Sequence, residues 1–355
     1  MENLTAEFVT HNLVFKKPAK TSRNTLTQKE TYYIVLRNDD DSDVFGLGEC
    51  SFIDGLSIDN AHEFEAQLAL LCTRINETGN ADVDFDFDAF PSIEFGLEMA
   101  IMDLENGGKR CYFDDNDFFN GERDIAINGL VWMGSATEMS DQIDNLLGRD
   151  FKAIKLKIGA IDFKEEVALI KYIRNKYNST EVEIRLDANG AFSREEALEK
   201  LKVLSEYDIH SIEQPIAAGN WEAMAELVKK SPIDIALDEE LIGITDPKEK
   251  EKLLKTIRPQ YIIIKPSLLG GFGLSEEWME LADELHISYW VTSALESNIG
   301  LNAISQWVSD LDLTRPQGLG TGSLYTNNVK SPLVIDTGFL KYDLERDWSL
   351  DVLDL

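Results

Sequence analysis

The sequence is poor in cysteine and in basic residues, and none of its 355 positions begins an apolar run long enough to span a bilayer. Its three cysteines, Cys50, Cys72 and Cys111, are odd in number and widely spaced, with no Cys-x-x-Cys pair and no histidine at ligand spacing. That argues against both a disulfide framework and a zinc site. Lys and Arg total 34 against 65 Asp and Glu, a net charge of −31. Nucleic acid and anionic membrane surfaces need a basic footprint, so neither is expected as a partner. A small anionic substrate is not excluded, because it responds to local potential rather than net charge. Residues 1–5 lack the basic start and apolar core of a signal peptide, and a cytoplasmic protein is expected. No Gly-x-Gly-x-x-Gly fingerprint or phosphate loop opens a helix, which argues against a dinucleotide-binding doubly wound sheet.

What is present is a 43% hydrophobic composition, enough for one large α/β barrel or two ordinary domains. Residues 4–15, 31–36 and 44–49 read as strands of an antiparallel meander by their β-branched and aromatic content. Between them, 16–23 reads as a mobile polar loop and 39–43 as a turn. Helices are expected over 60–76 and from Pro91 to the Gly107–Gly108 stop, where proline suits a first turn. The alternating aspartates of 82–88 superficially suggest a calcium loop, but they lack its glycine and its closing glutamate. A solvated linker with buried phenylalanines is the better reading.

From about residue 124 short β-rich runs alternate with amphipathic helices, the pattern of βα units around a parallel sheet. Strands are expected at 125–130, 153–158, 182–187, 209–213, 233–238, 261–265 and 287–292, with a weaker one at 317–320. Expected helices include 163–177, 194–206, 221–229 and 275–285. Eight strands suit a (β/α)8 barrel preceded by an α+β region.

The chemistry lies at the ends of those strands. Lys157, Asp187, Glu213, Asp238 and Lys265 each close an apolar run, at spacings of 30, 26, 25 and 27 residues, about one βα unit each. The C-terminal face of a barrel is where catalytic residues converge. Pleat parity agrees, because the positions alternating with these charges are almost wholly apolar and suit burial under helices. Lys155, two residues before Lys157, shares its face. Taken alone, those two lysines read more readily as a solvated edge strand. Three converging carboxylates repel unless a cation joins them. Oxygen-only donors select a hard ion, Mg²⁺ best, with Mn²⁺ as a substitute. A lysine beside such an ion and a second ammonium can lose its proton near neutral pH, which suits proton removal next to a carboxylate. The expected partner is therefore a small-molecule carboxylate, and whether the chain is a monomer or a homo-oligomer stays open.

The motifs Lys155-x-Lys157, Asp187–Ala188–Asn189–Gly190, Glu213–Gln214–Pro215, Asp238–Glu239 and Lys265–Pro266 together resemble the enolase superfamily, in its muconate-lactonising subgroup; the superfamily's lysine base and Mg²⁺ are a known pattern of acid–base tuning. The resemblance implies a modified (β/α)8 barrel over 123–323 and an α+β capping domain over 1–122, completed by about 324–355. Gly48–Glu49–Cys50–Ser51 with Gly55–Leu56–Ser57, the segment 292–301, and Gly318–Leu319–Gly320–Thr321–Gly322 narrow it to the branch that forms o-succinylbenzoate. What that implies is Mg²⁺-dependent syn-dehydration of 2-succinyl-6-hydroxy-2,4-cyclohexadiene-1-carboxylate to 2-succinylbenzoate in menaquinone biosynthesis. Lys157 would be the base and then the acid, and Lys265 would stabilise the enediolate from the opposite face with Lys155 assisting Lys157. Asp187, Glu213 and Asp238 would hold the metal. Ser293, Gly320, Thr321 and Asn189 would face substrate. Racemisation of N-acyl amino acids is the alternative activity, and a non-catalytic metal- or anion-binding barrel the alternative from another class. A histidine at the end of strand seven and an Asp-x-Asp on the last strand, marks of two other branches, are replaced here by Ser293–Ala294 and Gly318–Leu319–Gly320.

Overall fold

A computed structural model describes residues 3–20, 25–38 and 41–355. An antiparallel meander forms the N-terminal sheet: β1 (Leu4–Lys20), β2 (Thr25–Asn38) and β3 (Asp41–Cys50), in the order β1-β2-β3. The expected loop at 16–23 is strand as far as Lys20, and Thr21–Ser22–Arg23 lie outside the described residues. Ala19 and Lys20 pair with Leu26 and Thr25 of β2, and the residues before them have a distant partner. Lys16 N–H donates to Leu324 O at 2.8 Å, and Phe15 forms an antiparallel bridge with Tyr325. Of the expected turn at 39–43, residues 39–40 lie outside the described residues and 41–43 belong to β3.

Two helices cover this sheet, α1 (Phe64–Thr78) and α2 (Pro91–Glu105). The second lies on β3 so closely that a Cβ at Gly46 or Gly48 would sit 1.9 or 1.8 Å from the carbonyl oxygens of Ala100 and Gly96. Only glycine permits that approach. In the linker before α2, Asp82, Asp84, Asp86 and Asp88 are exposed while Phe85 and Phe87 are half-buried against each other, 4.9 Å between centroids. The aspartates are solvated, as their alternation predicts.

The parallel sheet follows the order β5 (Gly129–Val131), β6 (Ala153–Lys157), β7 (Glu183–Asp187), β8 (Ser211–Glu213), β9 (Asp234–Leu237), β10 (Tyr261–Ile264) and β11 (Ser288–Val291). The expected first strand is divided: β4 (Ile125–Ala126) pairs instead with the C-terminal hairpin of β12 (Leu333–Asp336) and β13 (Phe339–Tyr342). The expected eighth strand is reduced to two parallel bridges, Ile127 to Gln317 and Thr292 to Gly318. Those bridges join the two edges of the sheet and close it.

Connecting helices are α3 (Ala136–Gly148), α4 (Phe163–Lys176), α5 (Arg194–Leu204), α6 (Trp221–Lys230), α7 (Pro247–Ile257), the one-turn α8 (Pro266–Leu269), α9 (Phe272–Glu284) and α10 (Asn298–Asp310). Ser135 with Glu138 and Ser193 with Glu196 make capping boxes that satisfy the first N–H groups of α3 and α5. Ile154, Leu156, Ile184, Leu186, Ile212, Ile235, Leu237, Ile262 and Ile264 are buried between strands and helices in one continuous core. The apolar parity is thus the outer face of the barrel, and the charged parity faces the axis. Among the described residues no helix is long and apolar enough to cross a membrane.

Candidate active site

Strand register brings the predicted residues together. Lys157 pairs with Asp187 and Asp187 with Glu213, while Glu213 pairs with Ala236, placing Asp238 one pleat higher, just past β9. Lys265 follows the last residue of β10 and caps α8. All six charged groups, Lys155 included, are at most 9% exposed.

The carboxylates are each turned to an ammonium group. Lys155 Nζ donates to Glu213 Oε1 and Oε2 at 2.7 and 2.6 Å and lies 2.9 Å from Asp187 Oδ2. Lys157 Nζ donates to the same Asp187 oxygen at 2.5 Å and to Asn189 Oδ1 at 2.9 Å, and Lys265 Nζ donates to Asp238. The two lysines on β6 do share a face, and Asp187 stands between their charges. Asn189 Nδ2 donates to Glu239 Oε1 at 3.0 Å, so Asn189 links Lys157 to the end of β9.

Two left-handed residues shape these ends, Asn189 (φ +45°) and Gln214 (φ +40°), each one or two positions after a carboxylate. Gln214 Oε1 accepts from Asp238 N–H at 3.2 Å and its amide donates to Ile216 O at 3.1 Å. That ties the ends of β8 and β9 together. Its place directly after Glu213 was the available signal.

Burial opposes the charge on Lys155, but the Asp187, Glu213 and Asp238 carboxylates outweigh it and hold its pKa above the ordinary lysine value; Lys265 is raised by Asp238 and Glu213 against the same opposition. The expected drift of a lysine toward neutrality depends on a bound cation in addition to these groups. Burial would raise Asp187, yet Lys155 and Lys157 bring it well below the usual range. Glu213 goes up to about 8, through burial and the charge of Asp187. Negative charge is therefore crowded at this point.

Among the described residues no three acidic, histidine or cysteine side chains stand together as a ready set of metal ligands. The carboxylates face lysines instead. Their chemistry nevertheless fits a hard divalent cation: three buried, oxygen-only donors on neighbouring strand ends, with Asp187 and Glu213 close enough for one charge to raise the other.

A cavity of about 230 Å³ opens above the ring. Lys155, Lys157, Lys265 and Asn189 line its floor, and Ser293, Gly320 and Thr321 its wall. Ser293 Oγ donates to Gly318 O at 3.0 Å and lies 2.9 Å from Thr321 Oγ1. Every predicted substrate-facing residue thus borders one space. Sequence reasoning missed the apolar lining: Trp132 and Leu295 from the barrel, and Leu26, Ile53 and Leu56 from the N-terminal sheet and its following loop. Of these, Leu56 lay inside a quoted motif, and Leu26 had no local signal.

A family model described as "Enolase C-terminal domain-like" matches residues 138–343. The sequence is 45% identical to an o-succinylbenzoate synthase from Desulfotalea psychrophila over 96% of this chain and 99% of that protein. The chain belongs to the enolase superfamily. A superfamily member of known structure, MenC from Desulfotalea psychrophila, superposes with a TM-score of 0.82 at 42% identity, covering 96% of this chain and 99% of that one. The L-Ala-D/L-Glu epimerase of Bacillus subtilis is a more distant superfamily relative, 25% identical over 84% of this chain and 83% of its own.

Proposed function

We propose that this enzyme carries out the o-succinylbenzoate synthase reaction of menaquinone biosynthesis, the syn-dehydration of 2-succinyl-6-hydroxy-2,4-cyclohexadiene-1-carboxylate to 2-succinylbenzoate. The observation that carries this reading is the 45% identity to an o-succinylbenzoate synthase along nearly the whole of both chains. The distant epimerase relatives share far less. Enzymes of this kind are metal-dependent.

A hard divalent cation, Mg²⁺ with Mn²⁺ as substitute, held by Asp187, Glu213 and Asp238 would supply positive charge beside the substrate carboxylate and draw those carboxylates' charge from the lysines. Lys157, in its amine form, takes the proton from the carbon bearing the carboxylate. The electron pair of that C–H bond passes into the substrate carboxylate as an enediolate, then returns to form the new ring double bond as the C6–O bond breaks, and Lys157 gives its proton to the leaving hydroxyl, which departs as water. No net oxidation occurs. Lys265 sits on the far side of the floor, where its ammonium faces the charge that develops on the substrate. Lys155, on the same face of β6, assists Lys157. Ser293, Thr321 and the open backbone at Gly320 accommodate the succinyl tail. Residues 1–122, completed by 324–355, act as a cap that closes the cavity over the barrel of 123–323.

The purified protein is expected to convert that substrate with Mg²⁺ and to stop when EDTA is added. No turnover in the presence of Mg²⁺ would overturn the assignment. One observation favours a second activity, since Lys157 and Lys265 both border the cavity and could exchange a proton at one carbon from either side. Deuterium incorporation at Cα of N-acyl amino acids, with racemisation, is its test.

A further inference from the structure

Glu49, at the end of β3, leaves its own sheet and enters the start of α10. Its Oε1 accepts from Ser297 N–H at 2.7 Å and from Thr31 Oγ1 at 3.3 Å. Its Oε2 accepts from Ser297 Oγ at 2.6 Å and from Gly300 N–H at 2.8 Å. The carboxylate is fully buried, and the two N–H groups it takes are ones that a helix start leaves without partners. Gly300 makes the room: a Cβ there would come 3.0 Å from Glu49 Oε2 and 2.8 Å from Glu296 Cγ. Lys29, also buried, donates to Ser51 and Thr31 beside this contact.

Both sides of the contact run directly into the cavity. Past Glu49, the chain enters a turn in which Leu56 and Ser57 N–H donate to Ile53 O at 3.0 and 2.9 Å, and Ile53, Asp54 and Leu56 form the cavity roof. Before Ser297, Ser293 and Leu295 form the opposing wall. Leu295 is held in the left-handed region (φ +65°), with its carbonyl bound by the Tyr325 hydroxyl at 2.7 Å. That backbone is costly for leucine and has to be held in place by its surroundings.

We infer that Glu49 is a positioning residue: by seating on α10 it fixes the roof against the wall and so sets the affinity of the cavity for its substrate. The lysines that move protons sit on barrel strand ends and do not depend on it. This inference rests on the proposed reading of the cavity as a carboxylate-substrate site.

Two substitutions break the contact from opposite sides, Glu49→Gln, which turns one acceptor oxygen into an amide NH₂ facing donors, and Gly300→Ala. Each is expected to raise KM for the cyclohexadiene substrate about 10-fold or more with kcat within about threefold, the split expected when binding is lost rather than chemistry. Because both break one contact, the double variant should be little worse than the worse single. Hydrogen exchange, which needs no substrate, should accelerate in residues 293–300 and 52–57 of both variants. Ile75→Val, within the core of the N-terminal sheet, serves as a control that lowers stability without moving KM or that exchange. All kinetics are read where each variant is folded by circular dichroism. Unchanged KM with unchanged exchange in folded variants overturns the inference, as does a fall in kcat alone or an equal KM shift in Ile75→Val. If the unaltered protein turns over no such substrate, the functional reading fails, and the exchange measurement alone decides for or against the positioning role.

Discussion

Two groups of buried carboxylates lie near the cavity, and different donors hold them. At the barrel mouth, Asp187, Glu213 and Asp238 are held by ammonium groups on long lysine stems. At the junction with the N-terminal sheet, Glu49 and Glu296 are held by backbone N–H groups and hydroxyls, Ala294 N–H reaching Glu296 Oε2 at 2.5 Å and Ser267 Oγ reaching Oε1 at 2.6 Å. A backbone donor cannot move without moving the fold, so it pins a charge. A lysine can change rotamer, release its partner and pass a proton. The same burial therefore builds a fastening in one place and, under the proposed function, a working site in the other.

If that contrast is right, its largest expression is kinetic. Lys157→Ala should lower turnover at least ~10³-fold, within the range for loss of a general acid–base group, with the circular dichroism spectrum unchanged. Retained activity would mean the ring is as static as the junction. Chelation sharpens the same point: EDTA should abolish turnover and Mg²⁺ restore it, whereas Asp187→Asn should not be restored at the same Mg²⁺ concentration.

A buried carboxylate that does not border the cavity should instead express itself in stability. Asp103 is fully buried, accepts from Leu47 N–H at 2.9 Å and Arg110 N–H at 2.6 Å, and pairs with Arg110 at 2.9 Å. Removing one partner of such a pair costs about 3–5 kcal/mol, so Asp103→Ala should shift the urea midpoint strongly while KM stays unchanged. A KM shift in folded protein would mean that burial alone, and not a place beside the cavity, sets the kinetic effect.

The junction also predicts a pH dependence. Burial, with the nearby charge of Glu49, raises Glu296 from an ordinary 4.5 to about 7. The folded state thus holds this proton more tightly than the unfolded chain does, and stability falls as pH rises from about 4.5 to about 7, then levels. Glu296→Gln should remove that part of the fall, about 3 kcal/mol at most, read as a smaller difference between urea midpoints at pH 4.5 and pH 8. The smallest effect is expected at the wall: Ser293→Ala removes one hydroxyl contact and should change kcat/KM by about 3- to 10-fold.

Much of the site was legible because it is written in strand-end chemistry. Lys157, Asp187, Glu213, Asp238 and Lys265 recur at one βα unit each, and pleat parity states which way they point. Less legible were the departures from regular strands. The stretch 16–20 reads as loop by its lysines and proline, yet Ala19 and Lys20 pair with β2, and Lys16 bonds Leu324 from more than three hundred residues away. The last barrel strand is short because only Gln317 and Gly318 find neighbours, on opposite sides. Nor was it legible which carboxylate each ammonium group faces, since spacing does not state it.

By itself the sequence determined the barrel, the inward set of charges and the family, because period-two burial and βα spacing are local properties of the chain. Only the tertiary structure decided that Lys155 grips Glu213 while Lys157 meets Asp187 and Asn189, that Leu26, Ile53 and Leu56 roof the cavity, and that Glu49 seats on α10. Those are contacts between residues dozens to hundreds of positions apart, and they follow from register, burial and hydrogen-bond geometry that exist only once the sheet has closed.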